Sequence, residues 1–212
     1  MRLWRKTLIG ILFIFSGCTY HGSLKNDFYK PDSSINVLPI KAYMVWDTKL
    51  DSVKYIAKNI YITHDAEIST SPGLKFAFIS AMREVFEDIR LNSFIDNTAM
   101  KDFDVLLLPK FELRGAAVYI QIVAKDAKTD ELIDKYEASG NIPHNIPTLA
   151  TVLSVINVIP CALLCSPVIE PAINNIVGEQ LQVDFESRIT ETLKFIVIDM
   201  KNDRNLKRKI SK

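Results

Sequence analysis

From Val105 to Ala138 apolar and polar residues alternate, broken only by short polar connections, and this alternation limits the fold more than any other feature of the chain. Val105–Leu108 is a continuous apolar run, as in a strand covered on both faces. Beyond it, Phe111 and Leu113 alternate with Lys110, Glu112 and Arg114, as in a strand with one wet face. Val118, Ile120, Ile122 and Ala124 then fall on one side of a second strand, and Tyr119, Gln121, Val123 and Lys125 on the other. Asp126 to Asp130 is a polar turn, after which Leu132–Ala138 pairs back antiparallel. Strands joined this closely predict a meander.

Around it the apolar spacing changes to that of helices. Leu74, Ala77, Phe78, Ala81, Met82, Val85, Phe86 and Ile89 keep i, i+3, i+4 spacing and predict an amphipathic helix over about 73–91, with Ser71 as N-cap and Pro72 in its first turn. Phe94 and Ile95 are expected to close the core beyond it. A second stripe, Ile173, Ile176, Val177, Leu181, Phe185, Ile189, Leu193 and Ile196, predicts a helix over about 171–200. Within it Gly178 costs about 1 kcal/mol relative to alanine, which marks close packing or a break. Upstream, Ile35, Val37, Leu38, Ile40, Ala42, Met44 and Val45 predict a strand around Pro39. Proline donates nothing to a ladder, so this strand lies at an edge or is interrupted there. Residues 50–62 lean to strand, and 63–72 are rich in turn formers. The expected fold is α+β: a small, mainly antiparallel sheet packed by two long amphipathic helices.

The chain begins with Arg2, Arg5 and Lys6, an apolar run Thr7–Phe15, and Ser16-Gly17-Cys18, the order of parts in a secretory signal peptide. As a helix, residues 7–17 would reach roughly 16 Å, about half a hydrocarbon core, which is too short to span. Phe15-Ser16-Gly17-Cys18 resembles the bacterial lipoprotein signal, although Phe15 stands where Leu or Val is usual. The resemblance implies that Cys18 becomes the acylated first residue of the mature chain, and Thr19 after it leans towards the outer membrane facing the periplasm. The expected organisation is a signal peptide over 1–17, a polar tether over 18–34, one domain over 35–200 and a basic tail over 201–212. Without the signal's three basic residues, 23 of the 26 remain against 25 acidic, which excludes the profile of a nucleic-acid binder. Lys201, Arg204, Lys207, Arg208, Lys209 and Lys212 face only Asp203 in the tail, as in a solvated segment or one that meets anionic lipid or an acidic partner.

Asn145–Ile169 is twenty-five residues without a charge, inside the expected domain. Pro147, Pro160 and Pro167 argue against a plain spanning helix. An element dipping into a leaflet or a partner, a buried part of the core, and a transmembrane span all fit this stretch. Cys161 and Cys165 within it fit small buried or lipid-facing residues or a disulfide; a metal site lacks further ligands nearby. His21, His64 and His144 lie apart in polar or proline-rich surroundings, and seven glycines leave little material for a phosphate loop or a nucleophile elbow. Asp102 and Asp104 could in principle form a carboxylate pair, but the solvated end of a strand accounts for them. No catalytic, cofactor-binding or metal residue is expected.

The helix at 73–91 followed by "DVLLLPKFEL" (104–113) and "IQIVAKDAKTDELIDKYEASG" (120–140) is similar to the α+β domain of small bacterial envelope lipoproteins, the curli secretion lipoprotein and the auxiliary lipoproteins of ABC transport systems among them. Those families commonly carry Asp-x-x-Thr-Gly-Glu at the turn. Here Asp126, Thr129 and Glu131 match, with Asp130 in the glycine's place. The resemblance covers residues 35–142 and implies a fold and a location. The expected protein is a lipid-anchored cell-envelope lipoprotein, a non-catalytic accessory or structural component of an envelope, transport or secretion complex. Its expected partners are membrane lipid through Cys18 and a protein or second copy through 145–169. The alternative is a membrane protein with a transmembrane or re-entrant segment at 145–169 presenting a periplasmic domain.

Overall fold

The computed structural model describes residues 19–32, 37–61, 64–143 and 169–208, which fall into two compact units. The expected sheet packed by two long helices does not form. Among the described residues there are eight strands in two sheets and four α-helices, of which only the third is long.

The first unit takes residues 19–22, the described part of 54–68, and helical residues up to Asp184. Its three-stranded sheet has the order β1 (Thr19–Ser23), β4 (His64–Ser69), β3 (Lys54–Tyr61). Buried Tyr55 and Ala57 alternate with exposed Lys54, Ile56 and Lys58 along β3, and buried Ala66 and Ile68 alternate along β4. β4 occupies a stretch whose composition reads as a turn, because two apolar residues are too few to declare a period. The long helix α3 (Ile169–Asn202) contributes buried Val177 and Leu181 to this unit.

The second unit holds a five-stranded sheet in the order β5 (Phe86–Asn92), β2 (Leu38–Val45), β6 (Val105–Arg114), β7 (Ala117–Asp126), β8 (Leu132–Asn141). β6, β7 and β8 form the antiparallel meander, with Leu107 opposite Ala124 and Ile122 opposite Tyr136. β2 runs parallel to both of its neighbours, Ala42 facing Val105 on one side and Ile89 on the other. The sheet is therefore mixed, and β2 is central rather than at an edge. Ile40, Ala42, Tyr43 and Met44 are all buried, as a strand flanked on both sides and covered on both faces requires. Pro39 fits because the pairing with β5 is irregular between Leu38 and Lys41.

α1 (Gly73–Arg83) is shorter than the apolar spacing predicts. Pro72 occupies its N-cap and no side chain caps it, so Ser71 does not act as expected. Gly73, Leu74, Ala77, Phe78, Ala81 and Met82 form its buried stripe. The amides of Glu84 and Val85 then bond back to the carbonyls of Ala81 and Met82, and the Val85 carbonyl accepts from Leu38 N at 2.8 Å. That last bond delivers the chain to the side of β2, where Phe86–Asn92 becomes β5. Val85, Phe86 and Ile89 continue the helix stripe, whereas Ile89 and Leu91 alternate with Asp88 and Arg90 as in a strand, and an open ladder on β2 decides between them.

From Phe185 onward α3 buries Phe185, Ile189, Leu193, Ile196, Val197 and Met200 in this unit, each burial contributing roughly 1.5–3 kcal/mol. Phe111 of β6 meets Phe185 with ring centroids 6.5 Å apart, and Trp46 meets Phe78 edge-on at 5.5 Å. Tyr43, Phe103, Leu106 and Ala127 form a satellite cluster, beside which Ala99 and Met100 of α2 (Asn97–Met100) are packed. Phe94 and Ile95, expected to close the core, are 61 % and 51 % exposed. The Tyr43 hydroxyl instead holds that turn, donating to Phe94 O at 3.2 Å and accepting from Asn92 Nδ2 at 2.9 Å. Within the expected basic tail, Asp203 caps α4 (Arg204–Lys207), and Leu206 is fully buried.

Candidate functional site

The residues nearest to Cys18 in the chain are built into the first unit rather than hanging from it. Thr19, joined to Cys18 by one peptide bond, opens β1, the strand beside β4. Tyr20 donates its hydroxyl proton to Gln182 Oε1 of α3 at 2.9 Å. Its ring lies on Gly178, one helical turn earlier, where a Cβ would sit 2.1 Å from Tyr20 Cγ and 2.4 Å from Cδ2. No other residue leaves room for that ring. Gly22 is equally confined: a Cβ there would lie 2.7 Å from both Gln182 Oε1 and Tyr20 Cε1. Two glycines, one aromatic ring and one amide thus make a seat that holds β1 against the helix. On the neighbouring strands Lys54 Nζ meets Glu67 Oε1 at 2.7 Å. That hydrogen bond holds the Glu67 carboxyl below the usual carboxylate range, with the positive field of His21 on β1 adding to it.

The second unit contains a buried polar cluster. Tyr29 donates to Glu84 Oε1 at 2.6 Å, and both residues are buried. Burial first, and the Glu84 carboxylate second, push the Tyr29 phenol far above its ordinary range. The Lys201 ammonium is buried with no hydrogen-bond partner among the described residues. Desolvation lowers its proton affinity, against the pull of Glu84 and Asp32. Nearer the chain end, Tyr136 of β8 donates to Asp203, and burial together with that carboxylate raises Tyr136 likewise. These groups tie residues 29–32, the end of α1 and the end of α3 into one unit. Chemically they are phenols donating to carboxyl oxygens, one of them buried at Glu84 and the other half-buried at Asp203.

The residues singled out in the sequence are distributed as follows. Cys18, Cys161, Cys165, His144 and residues 145–168 lie outside the described residues. Asp102 is exposed, whereas Asp104 uses its carboxylate to accept from Lys41 N at 3.1 Å, so the pair is a solvated residue and a backbone cap. His21 is exposed on β1 and His64 begins β4. Among the described residues no group of three or more His, Cys, Asp or Glu could hold a metal ion, and no helix is long and apolar enough to cross a membrane. The turn at 126–131 is closed by Asp126, whose Oδ1 accepts from Lys128 N at 2.8 Å and Thr129 N at 3.0 Å, and Asp130 has φ 60°, a left-handed conformation that suits glycine. Sequence reasoning missed the partnership of Tyr20 with Gln182 and of Tyr29 with Glu84. The one signal present was Gly178, an unfavourable residue inside a helix, and close packing is what it serves.

No protein-family profile matches the chain, and no curated protein matches it. Among solved structures the chain is similar to the crystal structure of protein XCC0632 from Xanthomonas campestris, of family DUF330. The two are 11 % identical, with a TM-score of 0.39, over 82 % of this chain and 97 % of that one.

Proposed function

We propose that the protein is a lipid-anchored, non-catalytic component of the bacterial cell envelope, acylated at Cys18 and facing the periplasm, more specifically from the outer membrane. It serves as an accessory or structural part of an envelope, transport or secretion complex, the role of the lipoprotein families it resembles. The observation that carries this reading is the order of parts in residues 1–18: three basic residues, nine apolar residues from Thr7 to Phe15, then Ser-Gly-Cys. Acyl chains on Cys18 would contribute about 0.8 kcal/mol for each buried methylene, enough in a multiply acylated residue for stable attachment.

A second reading, a membrane segment within 145–169, is favoured by the absence of charge over those twenty-five residues. One experiment separates the two. The full-length protein and its Cys18→Ala variant are expressed in a bacterium, membranes are washed with carbonate, and the product is analysed by intact mass. Expected are removal of residues 1–17, an added acyl mass on Cys18, and release of the variant into the soluble fraction. An unprocessed chain without acyl mass refutes the anchor, and a variant that stays in the carbonate pellet assigns attachment to 145–169.

A further inference from the structure

We infer that the lipid anchor is joined to the fold without a spacer, so that β1 acts as a strut holding the first unit against the lipid headgroups. This rests on the proposed acylation of Cys18. Composition alone suggests the opposite, a polar tether over 18–34 on which a domain would drift.

Three observations contradict a drifting tether. β1 begins at Thr19, the first residue after Cys18, so at most one residue of extended chain, about 3.3–3.6 Å, separates the acylated cysteine from an ordered strand. The strand is ordered by tertiary packing as well as by its ladder, since the Tyr20 ring fills the space over Gly178 and its hydroxyl reaches Gln182 at 2.9 Å. The chain does not loosen after β1 either. Leu24 N donates to Ser69 O at 3.0 Å, Lys25 N donates to Glu186 Oε1 at 2.9 Å, and Leu24 and Tyr29 are buried. A lipid-bearing residue continuous with such a strand transmits the position of the bilayer surface to the fold. A flexible linker averages it away. The partner of this end of the molecule is therefore the headgroup layer itself.

The test uses the acylated full-length protein in phosphatidylethanolamine–phosphatidylglycerol vesicles. A donor dye is attached through an azido amino acid replacing Ile56, an exposed residue of β3, and energy transfer to a headgroup-labelled lipid is recorded. A second form carries twelve Gly/Ser residues between Cys18 and Thr19, which add roughly 17–21 Å of root-mean-square span. Transfer is expected to fall roughly twofold or more on insertion, and the amides of Tyr20–Gly22 in the uninserted protein to exchange at least about tenfold more slowly than unstructured chain. Both forms are first checked by intact mass for the acyl group. If it is absent, the anchor reading and this inference fall together. If it is present and transfer is unchanged by the insertion, or the β1 amides exchange at the unstructured rate, the spacerless strut is overturned while the anchor stands.

Discussion

Replacing Gly178 with alanine sets two effects of opposite sign against each other. In an open helix the change stabilises by about 1 kcal/mol, because glycine loses more backbone entropy than alanine. Here the new methyl carbon would fall 2.1, 2.4 and 2.5 Å from three carbons of the Tyr20 ring, well inside van der Waals contact. Overpacking of this kind costs about 1–3 kcal/mol. The alternative, expelling the ring, forfeits its hydrogen bond to Gln182, worth about 1 kcal/mol, along with the ring's packing. Packing wins, and Gly178→Ala is expected to destabilise the protein by about 1–2 kcal/mol. In a Tyr20→Ala background the obstacle is gone and the same substitution is expected to stabilise by about 1 kcal/mol, a coupling of about 2–3 kcal/mol across the cycle. Urea denaturation of the four forms gives the energies, and hydrogen exchange shows whether the loss is concentrated in Thr19–Ser23. If Gly178→Ala stabilises equally with and without the Tyr20 ring, β1 is not seated on the helix and the reasoning fails.

The raised phenols of Tyr29 and Tyr136 make the fold sensitive to alkali. Below about pH 10 both tyrosines are neutral folded or unfolded, and their contribution is fully present. Above it the unfolded chain ionises while the folded one does not, so stability should fall by at most about 1.4 kcal/mol per pH unit for each, less after solvent screening. Denaturation between pH 8 and 11.5 should show the slope, and Tyr29→Phe should lower it; an unchanged slope would remove Tyr29 from the account. Asp130→Gly is expected to stabilise by about 0.5–1 kcal/mol, because φ 60° suits glycine and the ion pair lost with Lys125 is exposed. A lower melting temperature for that variant would count against the strain. Leu206→Ala should cost about 2–3 kcal/mol in urea, since the side chain is fully buried; no change would mean that the end of the chain is not docked.

The meander was legible in the sequence because each of its strands shows its own period, and antiparallel neighbours need only short turns. α1 was legible at its start and along its stripe. Its end was not, since Val85, Phe86 and Ile89 continue the helical stripe and only the ladder with β2 makes Phe86–Asn92 a strand. β4 escaped notice because Ala66 and Ile68 are too few to define alternation, and the central place of β2 was hidden by Pro39, whose missing donor falls at an irregular pair. In the candidate seat, Tyr20 and Gln182 stand 162 residues apart, beyond the reach of any local pattern.

Composition and spacing alone determined where apolar faces arise and which segments favour strand or helix. Those properties depend on the residue and its near neighbours. Which strand lies beside which, where a helix yields to a ladder, and whether the residues after Cys18 hang free or lie on a helix were decided only in three dimensions. Each depends on a surface assembled from distant parts of the chain, and for β1 that surface is the gap above Gly178 filled by the ring of Tyr20.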